Sequence, residues 1–142
     1  MRLMVLAIGF LLAGQQAPPA TRTHNDMMRE IATTRGRFIA AVNAGNSAGI
    51  IEEGTKLENV YKELIPVYEK MKLAPAVKMA RDGAAAAAEG VAAGRARNFE
   101  AAAATHRALS RSCQNCHPLY RQEAPDGLTY LPLWKPEYRS AQ

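Results

Sequence analysis

Four segments of this chain carry inward-type residues at alternating steps of three and four, a spacing that fits one face of a helix and no face of a strand. The first runs through His24, Met28, Ile31, Arg35, Phe38 and Val42 and stops at the Gly- and Asn-rich stretch "NAGNSAG". The second runs through Ile50, Gly54, Leu57, Tyr61, Leu64, Tyr68 and Met71. Val77, Ala80, Ala84, Ala87 and Val91 form the third, which ends at Gly94. The fourth is Phe99, Ala102, His106, Leu109, Cys113, Cys116 and Tyr120. Alternating runs of β-branched and aromatic residues are nearly absent, while Ala, Glu, Lys, Arg, Leu and Met dominate. No single helix can bury its own stripe, so four such helices with short connections predict an all-α, antiparallel four-helix bundle over residues 23–121.

Prolines and alanines refine that expectation. Pro66 removes a hydrogen bond to residue 62 and crowds its carbonyl, so it is expected to bend or interrupt the second helix. Pro75 suits the first turn of the third. The run Ala84 to Ala88 makes that helix thin, which lets neighbours come close or leaves room for something flat and bulky. A bundle with one such helix has few large groups for its middle, and this deficit hints at a cofactor.

The beginning of the chain, "MRLMVLAIGFLLAG", places one positive charge at Arg2 ahead of an apolar run and then small and polar residues. This is the layout of a secretory signal peptide over about residues 1–20, with cleavage expected between Ala13 and Ala20. The apolar run is short for a membrane span; a buried N-terminal helix and an uncleaved anchor are the competing readings. An exported chain places the protein in the periplasm, with no stable membrane insertion after cleavage. Removing Arg2 leaves 17 basic against 13 acidic residues, a formal charge of +4. The basic side chains are scattered among acids along the helices, a pattern that argues against nucleic-acid binding.

Both cysteines lie in "SRSCQNCHPLYR", at Cys113 and Cys116, with His117 immediately after. Two thiols two residues apart do not make a disulfide scaffold. Three chemistries remain: a redox dithiol, half of a zinc site, or a covalent haem anchor. A redox dithiol needs a helix N-terminus to stabilise its thiolate, whereas here "FEAAAATHRALSRS" leads a helix into the motif and leaves the thiols near a C-terminus. Zinc needs a fourth ligand, and only His24 and His106 are on offer. In a Cys-x-x-Cys-His haem site the thiols add across the two vinyl groups and the histidine ligates iron from one face. That chemistry uses all three residues at their observed spacing, and it is the preferred reading.

With these motifs in place, the chain resembles the class II cytochromes c, the family of cytochrome c′ and its low-spin, Met-ligated relatives. The resemblance covers residues 23–121. It is best from Pro75 onward, in "PAVKMARDGAAAAAEGVAAGRARNFEAAAATHRALSRSCQNCHPLYR", with its Ala-rich third helix and a fourth ending in Cys-x-x-Cys-His-x-x-aromatic-Arg. It implies one covalent haem c on Cys113 and Cys116, with His117 as proximal iron ligand and Tyr120 and Arg121 as haem contacts. It also implies a redox partner protein and a homodimer.

The opposite face of the haem separates two functions. Low-spin members use a methionine early in the first helix as sixth ligand, and this chain has "NDMMREI" there. Met28 lies on the seam, while Met27 is turned about 100° away, so Met28 is the expected distal ligand and Met27 the alternative. His/Met ligation suits an outer-sphere electron carrier; without it, an open position would bind NO or CO, as in high-spin cytochrome c′. An enzyme such as a small peroxidase lacks an evident acid or base pair. His24, one turn before Met28, is a weaker ligand candidate, and His106 lies roughly 16 Å along the helix from His117, out of reach of the same iron. Arg35 is expected either to pair with a haem propionate or to send its stem to the surface. The extension at 122–142, "QEAPDGLTYLPLWKPEYRSAQ", departs from the family and is expected to be non-helical, either wrapping the bundle or docked loosely.

Overall fold

The computed structural model describes residues 22–123 and 130–132. The expected leader at 1–20 and most of the extension, at 124–129 and 133–142, lie outside the described residues.

Four helices follow one another closely: α1 at His24–Asn43, α2 at Ser47–Lys70, α3 at Ala74–Arg95 and α4 at Phe99–Tyr120. Each start is chemically marked. Thr23 caps α1 in a reciprocal capping box with Asp26, and the side chains of Asn46 and Asn98 accept from Gly49 N and Ala101 N. Pro75 stands in the first turn of α3, as expected. The three connections share one design, with a left-handed residue at the centre: Gly45 (φ 63°), Lys72 (φ 57°) and Arg97 (φ 54°). Around each, the amide three residues beyond the helix reaches back across the last turn, from Asn46 to Ala41 O, Leu73 to Tyr68 O and Asn98 to Ala93 O. These bonds close the exposed carbonyls of a helix end and reverse the chain within three residues. Pro66 and Pro118 sit inside continuous α2 and α4, so the expected interruption at Pro66 does not occur. Pro66 is exposed, on the side of α2 where losing one backbone bond disturbs no packed neighbour.

The helices form an antiparallel bundle in which α2 packs most extensively on α3 and α4 returns to α1 along the most sparsely contacted seam. Phe38, Ile50, Leu57, Val60, Leu64 and Leu109 are fully buried, each contributing about 1.5–3 kcal/mol through burial. The thin α3 does what its composition suggests, because neighbours come close to it. A Cβ at Gly83 would stand 2.5 Å from the Tyr61 ring, and one at Gly90 would stand 2.9 Å from Phe38.

One element lies outside the helical reading. After α4 the chain forms a two-stranded antiparallel ladder, β1 at Arg121–Glu123 and β2 at Tyr130–Pro132, with Gln122 opposite Leu131. The described part of the extension is therefore non-helical, and it pairs with itself. Among the described residues no helix is long and apolar enough to cross a membrane.

Candidate cofactor site

The chemistry-bearing residues meet at one end of the bundle, where α1 begins and α4 ends. A cavity of about 40 Å³ there is walled by all four helices. Met28 and Ile31 come from α1, Leu64 and Tyr68 from α2, and Met79 and Ala80 from α3. Cys113, Cys116 and His117 come from α4. Three- and four-residue spacing brings Cys113 and Cys116 to the inner side of α4, and His117 follows on the flank facing α1.

The two adjacent methionines part company. Met28 is half-buried and lines the cavity; Met27 is 4% exposed, belongs to the core and is not among the cavity-lining residues. Met28, on the seam, lines the cavity, and Met27, one helical step away, is buried in the core. One helical step of 100° moves a side chain from the α1–α4 seam into the core proper, since α1 packs on two neighbours and its buried arc is wide.

The other candidates take supporting positions. Tyr120 is half-buried against the core. Arg121 is half-buried at the start of β1. Neither lines the cavity. Arg35 is half-buried on the same α1–α4 seam and donates from Nη1 to Ser110 Oγ at 3.5 Å, while Ser110 donates to His106 O at 2.9 Å. His106 is half-buried and away from the site, and burial with the nearby Arg35 and Arg107 lowers its pKa. His24 Nε2 lies 2.9 Å from Tyr68 Oη, making it a partner of the cavity wall instead of a lining group.

Burial and local charge keep these groups neutral. His117 titrates below its ordinary value, first through burial and then through Arg121 and Arg35, so at neutral pH its imidazole is the uncharged form that ligates metals. Cys116 is pushed up by burial and by Cys113, opposite to the shift of an activated dithiol. Burial likewise raises the hydroxyl pKa of Tyr61, with the Cys113 thiol as the next cause, and that of Tyr68, with Cys116 next. Tyr61 Oη sits 3.8 Å from Cys113 Sγ. Both cysteines are free thiols.

The donor set therefore consists of two free thiols, a neutral imidazole and two thioethers, Met28 and Met79, on largely apolar walls. Among the described residues no group of three or more His, Cys, Asp and Glu side chains is arranged to hold a bare metal ion. The residues fit a covalently anchored haem in kind. In size, 40 Å³ admits about a water molecule, so a macrocycle requires the walls to part. The seam between α1 and α4, which carries Met28 opposite Cys113 and His117, is the one with least contact to lose.

Sequence reasoning missed Met79 and the contact roles of Tyr61 and Tyr68. Met79 is off the third seam by one residue, and no spacing rule selects it. The tyrosines were on the second seam as core residues, and a signal did exist: buried tyrosines carry a hydroxyl that needs a partner. No family model matches this chain, and neither any curated protein nor any solved structure matches it.

Proposed function

We propose that the protein is an exported mono-haem c-type cytochrome of the class II kind, serving outer-sphere electron transfer and not catalysis. Cys113 and Cys116 would hold the porphyrin as thioethers, His117 would ligate iron on one side, and Met28 would ligate it on the other. The haem would supply a one-electron couple, and thioether ligation would favour its ferrous state. The observation that carries this reading is that α1 brings Met28 to the same apolar cavity as Cys113, Cys116 and His117. The resemblance of the segment from Pro75 to Arg121 to the class II cytochromes c supports the cofactor. Neutral His117 and the raised pKa of Cys116 are compatible with a ligand and with a thiol awaiting alkylation.

Acid-acetone extraction of the purified chain should leave the chromophore on the protein, and Cys113→Ala with Cys116→Ala should release it. The ferric spectrum should show a far-red methionine-to-iron charge-transfer band that vanishes in Met28→Ala. A high-spin wild type that takes up CO readily would replace the carrier with a gas-binding module. A chain without covalent haem would refute both.

A further inference from the structure

The helix that carries Cys113, Cys116 and His117 differs from the other three in its charge. Among the described residues the ion pairs join side chains of Arg22, α1, α2 and α3, such as Lys56 with Glu52, Lys78 with Asp82 and Arg81 with Glu69. None involves α4. From Ala101 to Gln122 the chain has no carboxylate, while it has Arg107, Arg111 and Arg121. Arg107 and Arg111 are exposed and one turn apart, and Gln114 and Pro118 continue the same outward stripe at helical spacing. Leu119 borders it and is 54% exposed, the most exposed large apolar side chain among the described residues.

The stripe runs to the residue next to His117. Arg111 and Arg107 lie about 9 Å and about 15 Å along the axis from that histidine. The result is a surface on which two exposed arginines, with no carboxylate of their own helix beside them, lead along α4 to one exposed leucine next to the site. Unneutralised charge of one sign steers oppositely charged partners, and an apolar centre with a polar rim is how protein interfaces are built.

Resting on the electron-transfer reading, we infer that this outward face of α4 is where an acidic redox partner protein docks. Membranes are less well matched. Anionic lipid recognition draws on clusters of about four to eight basic residues with a broad apolar face, and here two exposed arginines precede one exposed leucine on a single helix.

The test uses the full chain loaded with its chromophore and reduced. Its one-electron oxidation by anionic hexacyanoferrate(III) and by cationic tris(phenanthroline)cobalt(III) is followed by stopped flow between ~0.01 M and ~0.5 M salt. The rate with the anion should fall on the order of tenfold across that range, and the rate with the cation should stay level or rise. Arg107→Glu with Arg111→Glu should remove the fall. Arg95→Glu with Arg97→Glu makes the same change in net charge at the turn between α3 and α4, roughly 30 Å along the axis from His117, and should preserve it. Equal effects of the two pairs would mean that overall charge does the steering and would overturn the docking face. Arg107- and Arg111-dependent retention on phosphatidylglycerol vesicles at ~0.1 M salt would assign the face to a membrane and overturn it too. A loaded chain with a flat salt response refutes this inference alone, whereas a chain lacking covalent haem refutes the proposed function and the docking face together.

Discussion

Met27 and Met28 are chemically identical, adjacent and separated by a single helical step, yet one belongs to the core and the other to the cavity wall. Their substitutions should separate accordingly. Met27→Ala is expected to cost about 2–4 kcal/mol in denaturant unfolding while leaving the ferric spectrum unchanged. Met28→Leu keeps the volume, should cost less than about 1.5 kcal/mol, and should abolish the thioether band. The reverse pattern would move the sixth ligand to Met27. His24 supplies a second residue-level prediction. Burial lowers its pKa from 6.5 to about 4, against a smaller opposing effect of Asn25. The unfolded chain then takes up this proton near pH 6.5 while the folded chain resists it down to about pH 4, so stability should fall as pH falls through that window. The ring is only half-buried, so the slope should lie well below the ~1.4 kcal/mol per pH unit of a fully buried group. Thermal midpoints between those limits check it: His24→Gln, which keeps a hydrogen-bonding group for Tyr68, should flatten the dependence.

At the scale of elements, the helix pair α2 and α3 is organised by what α3 lacks. The Tyr61 ring packs where a Cβ at Gly83 would stand, and its hydroxyl lies at Cys113. Gly83→Ala should gain about 1 kcal/mol in helix propensity yet force the ring away at a larger cost, for a net loss of about 1–2 kcal/mol, read as a lower denaturant midpoint with unchanged slope. An increase in stability would show that the ring yields freely. The helix spans themselves were legible, because propensity and a period of 3.6 point the same way throughout; Thr23, Asn46 and Asn98 are cap residues in the places caps belong. What was not legible was the effect of Pro66 and the two short strands. Whether a proline interrupts a helix depends on which side of it faces solvent. A three-residue strand after the fourth helix carries too few residues to show a period of two.

For the whole molecule, the uneven packing of the bundle has a dynamic consequence. Because α2 and α3 share the most extensive contact and α1 meets α4 along the sparsest, the chromophore-free chain should open first along the α1–α4 seam. Amide hydrogen exchange of Cys113→Ser with Cys116→Ser should show α1 exchanging well ahead of the centres of α2 and α3. Covalent loading should slow α1 most, since a group bridging the two sides of that seam stabilises only the folded state. Uniform exchange across the four helices would contradict this ordering of stability.

By itself the sequence determined that residues 23–121 form four helices, which residues make the inward stripe of each, and that all the thiol chemistry lies beside one histidine. These properties are local: propensity, caps and spacing within a turn act between residues a few positions apart. Only the tertiary structure decided that Met28 and not Met27 lines the cavity, that Met79 lines it too, and that Tyr61 packs on Gly83 with its hydroxyl at Cys113. Those facts depend on how far each helix is rotated about its axis and on how closely its neighbours approach. Rotation and approach are set by side chains on other helices, which no window of the sequence contains.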